Sequence, residues 1–285
     1  VLRENLIDKI ISLSYKYKFK PNNRLGQNFL INEKVISTFV NGANVSGKNV
    51  LEIGPGTGFI TAELLKQAKK VIAIEIDPTL IGILKERFIS EIKAGKLRII
   101  YNDVRKVNMK RMVEKEKIDK VVSAPPYYLS SEIMYRVLSL PVKEIYLILQ
   151  QDFLEKINSA PFFSPSALSV ITSYYAKPEF KELISASCFY PKPQVNSQVL
   201  KLTMKKKREL SEKEELQFIK LIKEIYRYSS KSTRKALYYV SRSEKDKRLQ
   251  NKINEFIKSN ETLLDEKVDA IGPENYILIF IDLIS

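Results

Sequence analysis

The run Leu51-Glu52-Ile53-Gly54-Pro55-Gly56-Thr57-Gly58 is the first stretch of this chain whose residue types could do chemistry. Glycines at alternate positions let a backbone turn approach a ligand closely, and the start of a following helix favours electronegative groups. Glu75 and Asp103 each end a later apolar run, and Glu52 precedes the turn. Carboxylates so placed can accept from ribose hydroxyls or from an exocyclic amine. A second group, Ser123-Ala124-Pro125-Pro126-Tyr127-Tyr128, also ends an apolar run. Two prolines there stop a strand and expose its last carbonyls, or simply end it above two part-buried tyrosines. What is missing narrows the chemistry further. The 285 residues include no His and one Cys, Cys188. That excludes Ser-His-Asp triads, Cys-His pairs, His-ligated metals and Cys-rich zinc clusters. A lone Cys also excludes an internal disulfide, as fits a reducing cytoplasm.

The elements that must hold these groups alternate along the chain. Strands are predicted over 49–54, 70–77, 96–103, 120–128 and 144–150, with helices over 59–68, 78–95 and 130–140 between them. Strands separated by such helices imply a parallel sheet covered on both faces. After about residue 205 the strand signal disappears, and KKKREL reads as a linker. The predicted organisation is an α/β, Rossmann-like domain over 1–204, opened by an amphipathic helix, and a small helical domain over 205–285. Ligands in such sheets bind outside the carboxyl ends of the strands, where the acidic residues fall. The turn alone leaves S-adenosylmethionine, a nicotinamide or flavin nucleotide, or a plain packing turn open. Its GxGxG spacing, rather than GxGxxG, and Glu52 ahead of it favour S-adenosylmethionine.

Lys and Arg total 48 against 33 Asp and Glu, a net charge of +15. Residues 201–258 hold 18 basic and 8 acidic side chains, whereas 259–285 hold one and six. A late basic segment of this kind suits an anionic partner or a solvated helix face. Arg227, Lys231, Arg234 and Lys235 would share one face of a helix, with Tyr226, Tyr228, Tyr238 and Tyr239 interleaved mainly as packing. No window of about 18 apolar residues occurs, so a soluble chain with no membrane partner is expected.

In order, these motifs resemble those of the ribosomal RNA adenine dimethyltransferases of the KsgA type, nearly end to end. Gly26-Gln27-Asn28-Phe29-Leu30 resembles the segment that closes over the cofactor in that family. The glycine turn, Glu75-Ile76-Asp77 and Asn102-Asp103-Val104 follow at the expected places, and Gln150-Gln151 stands where the family has Gln-Lys-Glu. Phe189-Tyr190-Pro191-Lys192-Pro193-Gln194-Val195-Asn196-Ser197 resembles Phe-x-Pro-x-Pro-x-Val-Asp-Ser, and Ser230-Lys231-Ser232-Thr233-Arg234-Lys235-Ala236-Leu237 resembles the family's C-terminal basic helix.

The resemblance implies S-adenosylmethionine as cofactor, with contacts at Asn28, Leu30, Gly54, Glu75, Asp103 and Ala124. It implies small-subunit rRNA on a pre-ribosomal particle as partner, two adjacent adenosines near its 3′ end as targets, and Arg227, Lys231, Arg234 and Lys235 as RNA contacts. A cytoplasmic monomer linked to ribosome biogenesis is expected. At the target, an acceptor at position 124 and the Pro125 carbonyl would take the two N–H bonds of the amine. Tyr127 would stack on the base and Phe189 could cover its other face. One position departs: Ala124 stands where the family has Asn, which removes one acceptor and predicts an impaired enzyme. Two other readings stay open. One is an Erm-like enzyme of large-subunit rRNA, which SKSTRKAL disfavours; the other is a non-catalytic pre-ribosome or nucleic-acid-binding factor, which Ala124 keeps alive.

Overall fold

A computed structural model describes residues 5–22, 25–158, 165–260 and 263–284. The chain opens on α1 (Leu6–Tyr17), where the Asn5 side chain accepts from the Asp8 N–H at 2.9 Å and caps the first turn. β1 (Phe29–Leu30) and α2 (Glu33–Gly42) follow. Then comes the alternation β2 (Asn49–Ile53), α3 (Phe59–Gln67), β3 (Lys70–Glu75), α4 (Pro78–Arg87), α5 (Ile89–Lys93), β4 (Leu97–Tyr101), α6 (Met109–Glu116), β5 (Lys120–Ser123), α7 (Ser130–Leu138) and β6 (Glu144–Gln150). These five strands, β2 to β6, are parallel neighbours in the order β4-β3-β2-β5-β6. β2, β3, β5 and β6 are buried almost throughout, which is why they read as unbroken apolar runs.

Two findings differ from the predicted sheet. Past α8 (Gln151–Glu155) and α9 (Ala167–Tyr175), the strands β7 (Ala176–Ile184) and β9 (Ser197–Met204) extend it to seven, in the order β4-β3-β2-β5-β6-β9-β7. β9 runs antiparallel to β6, with Gln150 opposite Ser197 and Glu144 opposite Thr203, so the sheet is mixed. The predicted helix over 78–95 breaks at Phe88, whose ring closes on the glycine turn. A Cβ on Gly58 would lie 2.6 Å from that ring. A short antiparallel ladder joins β1 to β8 (Phe189–Tyr190), with Leu30 opposite Phe189.

The chain divides into a unit of 1–154 with 178–204 and a unit of 155–177 with 205–285. A single cut at 205 therefore misplaces 155–177. The reason is aromatic. Tyr174 of α9 packs 5.1 Å from Phe218 of α10 (Glu212–Tyr226), and Phe218 packs 5.2 Å from Phe280 of α13 (Pro273–Ile284). The buried Glu215 carboxylate accepts from the hydroxyls of Tyr174 at 3.3 Å and Tyr175 at 3.1 Å and from Arg208 Nε at 2.5 Å. α11 (Thr233–Ser243) and α12 (Lys247–Ser259) complete this unit, each opened by a side-chain cap, Ser232 and Asp246. No helix among the described residues is long and apolar enough to cross a membrane.

Candidate active site

At the carboxyl ends of β2, β3, β4 and β5 lies a cleft of about 950 Å³, its open mouth included. It is lined by every residue the resemblance assigned to cofactor and target: Asn28 and Leu30, Gly54, Glu75 and Asp103, and Ala124, Pro125, Tyr127 and Phe189. The turn after β2 is built from left-handed backbone, with φ of +69° at Gly54 and +59° at Gly56. A side chain has no room there either. A Cβ on Gly54 would meet Pro126 Cδ at 3.0 Å, and one on Gly56 the Phe29 ring at 2.9 Å. Arg87, between the rings of Phe59 and Phe88, donates to the Thr57 carbonyl and fixes the turn from behind. Burial lowers the pKa of that guanidinium.

Glu75 ends β3 and is 6% exposed. Its Oε1 accepts from the N–H of Ile76 at 2.8 Å and of Asp77 at 3.0 Å, and its Oε2 from the Gly56 N–H at 3.2 Å. Three donors on a carboxylate with about four acceptor sites leave one at Oε2 for a ligand hydroxyl. Burial raises its pKa, opposed by those backbone donors. Asp103 also lines the cleft, yet Arg105 occupies it: Oδ1 accepts from Arg105 N at 2.9 Å and Nε at 3.0 Å, and Oδ2 from Nη2 at 2.6 Å. That partner holds the Asp103 carboxyl below the usual carboxylate range, and a ligand amine would have to share it. Asn28 donates from Nδ2 to the Gly26 carbonyl at 3.3 Å.

Gln27, named in the sequence only as part of its motif, has a role of its own. Its Nε2 donates to Asp77 Oδ2 at 2.8 Å and its Oε1 accepts from the Asn22 N–H at 2.8 Å, so it ties the N-terminal segment to the β3 end. The donor set and the cleft fit S-adenosylmethionine. Glu75 would hold the ribose, Asn102 and Asp103 the adenine edge, and Asn28, Leu30 and the glycine turn the methionine end.

Glu52 does not join this site. It is 1% exposed and accepts from the Thr61 hydroxyl of α3 at 2.7 Å, off the cleft lining. Burial, and next the Glu75 charge, push its carboxyl up to about 8, against a single opposing hydrogen bond. An acid raised in the folded state binds a proton that the unfolded chain has already released, so stability falls as pH rises between the two values. Thermal unfolding should therefore show the parent losing stability from about pH 5 to about pH 8, and Glu52→Gln should flatten that slope. Glu75 contributes in the same direction and leaves a residual slope. Identical pH profiles for the two chains would show Glu52 to be charged throughout.

At the target end, β5 stops at Ser123, whose hydroxyl bonds to the Ile53 carbonyl and accepts from the Ile53 N–H at 3.2 Å. This side chain bonds to β2 beyond the last paired residues of the two strands, Leu51 and Val121. The Pro126 carbonyl accepts from the Leu129 N–H at 3.0 Å, starting a turn of 3-10 helix, whereas none of the described residues donates to the Pro125 carbonyl. Half-buried Ala124 has no polar side-chain atom. The Tyr127 hydroxyl lies 2.7 Å from Ser197 Oγ, a buried residue at the start of β9, and burial pushes its pKa up to about 12. Ser197 is a second residue that the sequence reading did not single out, although it closes a motif already noted. Tyr127 and Phe189 meet edge to face, 6.2 Å apart at 66°. Phe189 therefore buttresses Tyr127, and the two rings do not form parallel walls for a base.

The four basic residues do not share one helix face. Arg227 caps the end of α10 and pairs with Glu224 at 2.9 Å, Lys231 lies in the following turn, and only Arg234 and Lys235 are in α11. Arg234 donates to the carbonyls of Ile257 at 3.0 Å and Asn260 at 3.3 Å and to Asp265 at 3.1 Å, which makes it a structural tie.

Residues 18–272 match the sequence pattern of the family described as ribosomal RNA adenine dimethylase. A Clostridium perfringens protein named ribosomal RNA small subunit methyltransferase A is 35% identical over 241 residues, 83% of this chain and 82% of that protein. Its namesake from Alkaliphilus oremlandii is 33% identical over 229 residues, 78% and 79% of the two chains. A dimethyladenosine transferase from Plasmodium falciparum superposes with a TM-score of 0.71 at 22% identity, over 90% of this chain and 95% of its own. The 23S rRNA methyltransferase ErmE superposes with a TM-score of 0.62, also at 22% identity, over 90% and 100%. These two structures show a shared fold. With the cleft and its motifs in place, the family match over most of its length makes this chain a member of the ribosomal RNA adenine dimethylase family, a group of S-adenosylmethionine-dependent rRNA adenine dimethyltransferases.

Proposed function

We propose that this chain dimethylates the N6 amines of two adjacent adenosines near the 3′ end of small-subunit rRNA, acting on a pre-ribosomal small subunit as a cytoplasmic monomer. The observation that carries this reading is the cleft in which the Glu75 carboxylate and the Ala124–Tyr127 strand end both stand. Choice of subunit cannot rest on the fold, because a large-subunit enzyme shares it. It rests on relatives above 30% identity that are named for the small subunit.

S-adenosylmethionine supplies an electrophilic methyl group when bound. Everything else falls to the chain's own residues. An adenine amine is a weak nucleophile because its lone pair is delocalised into the ring. Acceptors for its N–H bonds, two before the first transfer and one before the second, let that nitrogen become tetrahedral; positioning and dipoles then suffice without a strong base, and the proton displaced at each transfer leaves to water. The Pro125 carbonyl takes one N–H, and the Tyr127 ring, held by Ser197, sets the plane of the base. Position 124 would take the second N–H and lacks the group to do so. Ala124 is what favours a second reading, a factor that binds pre-ribosomes without methylating them.

The test is methyl transfer from labelled cofactor to small-subunit particles that lack the modification, with large-subunit particles beside them. Mass spectrometry of the digested rRNA should find N6,N6-dimethyladenosine in the 3′ fragment of the small-subunit rRNA. Label confined to large-subunit rRNA would move the chain to the Erm-like reading. Tight particle binding with no label, in this chain and in Ala124→Asn alike, would establish the non-catalytic one.

A further inference from the structure

The solvent side of α11 is not an ordinary charged helix face. Lys235, Tyr238, Tyr239 and Arg242 fall at i, i+3, i+4 and i+7, opposite the buried Ala236, Leu237 and Val240. Tyr228, in the turn after α10, lays its ring 5.0 Å from that of Tyr239 at only 33°, close to an offset stack. Tyr238 continues the cluster at 5.9 Å from Tyr239 and is 47% exposed. The Arg242 guanidinium stands 5.8 Å from the centre of the Tyr238 ring and donates to its hydroxyl at 3.3 Å. Among the described residues, neither Lys235 nor Arg242 has an ion-pair partner, unlike Arg227 and Arg234. These rings pack on one another outside the core of their unit. Tyr238 is exposed and Tyr228 and Tyr239 are half-buried, with Lys235 and Arg242 beside them on the same helix face.

We infer that Tyr228, Tyr239 and Tyr238, with Lys235 and Arg242, form a stacking platform for an unpaired base of RNA, the cations taking its flanking phosphates. The inference rests on the rRNA reading above and adds a second, non-catalytic point of base recognition. The chemistry favours RNA over an acidic protein, because an acidic peptide would use the cations and leave the rings unmatched. Unpaired bases offer both the flat face and the charge. Base–aromatic stacking tolerates any base and fails for a blunt duplex, whose bases already stack on one another.

The experiment uses the full chain with two fluorescent RNA probes of equal length, a single-stranded oligoadenylate and a blunt duplex, and a fluorescent polyglutamate peptide beside them. Tyr238 is exposed, so Tyr238→Leu and Tyr238→Phe should both fold, which circular dichroism checks. Tyr238→Leu should weaken single-strand binding by about 5- to 50-fold, while Tyr238→Phe binds like the parent and duplex affinity is unchanged. Arg242→Gln should lower the salt dependence by about one counterion, whereas Tyr238→Leu leaves it intact. Equal affinity of parent and Tyr238→Leu for the single strand overturns the platform, as does an equal loss on single strand and duplex. Loss confined to binding of an acidic peptide would make the surface a protein-docking site. Methylation by the parent, scored separately, decides the rRNA reading: a chain that methylates and binds single strands without Tyr238 has the function and lacks the platform.

Discussion

Replacing Ala124 with Asn is expected to raise methyl transfer to small-subunit particles by roughly 10²–10³-fold, the scale on which enzymes respond to a single oriented polar group at the reacting centre. The comparison is with a lost oxyanion-hole donor, and here an acceptor is what is missing. Position 124 is half-buried on the cleft wall, directly after the Ser123 that pins β5 to β2, so a longer side chain there enters the cleft from a fixed backbone. The gain should appear mainly in the turnover number. Contacts to RNA outside the cleft would be the same in both chains, and Tyr127 would be there to stack on the base in each. In the Ala124→Asn background, Tyr127→Ala should then remove most of what was gained, because the acceptors no longer face a positioned amine. Equal rates for parent and Ala124→Asn would mean that the Pro125 carbonyl is a sufficient acceptor.

How much of this could be read without coordinates follows from which interactions are local. The turn at 54–58, the caps and the buried parallel strands are written in short stretches, because a glycine at positive φ or an unbroken apolar run needs no distant partner to be recognised. β9 was also written locally: Val199, Leu200, Leu202 and Met204 are buried beside half-buried or exposed neighbours. Nothing predicts it as a strand, because it follows a proline-rich segment and runs antiparallel to β6, against the alternation before it. α9 could not have been assigned from sequence. Its Tyr174 and Tyr175 find Glu215 some forty residues later and Tyr174 packs on Phe218, and those distant partners join 155–177 to the helical unit. Among site residues, the cleft lining was legible from the order of motifs. The roles of Gln27 and Ser197 were not, since each acts through one hydrogen bond across the chain. The basic face is not legible for a different reason: α10 ends at Tyr226 and α11 begins at Thr233, so no helical spacing runs through the turn between them.

Glu75→Ala is expected to weaken S-adenosylmethionine binding by roughly a hundredfold, read by calorimetry. Oε2 has one acceptor site left after the Gly56 N–H, and a hydrogen bond to a charged acceptor contributes about 1.5–3 kcal/mol, or roughly 10- to 150-fold in affinity. The alanine also leaves the N–H groups of Gly56, Ile76 and Asp77 without their partner, so the glycine turn loses the anchor that ties it to the β3 end. That second effect adds to the first, and Glu75→Gln separates them in part. With its amide oxygen at the Oε1 position Gln still accepts from Ile76 and Asp77, while its NH2 group faces the Gly56 N–H and the ligand hydroxyl as a donor. Affinity in the parent should hold at neutral pH and weaken on acidification. The weakening should begin at a higher pH than for an ordinary carboxylate, because burial raises the pKa of Glu75 and protonation removes an acceptor. In the Gln variant this acid limb should vanish. Equal affinity of parent and Glu75→Ala, with both folded, would take Glu75 out of the cofactor site. Tight and preferential binding of a nicotinamide dinucleotide by the parent would assign the same carboxylate to a different ribose.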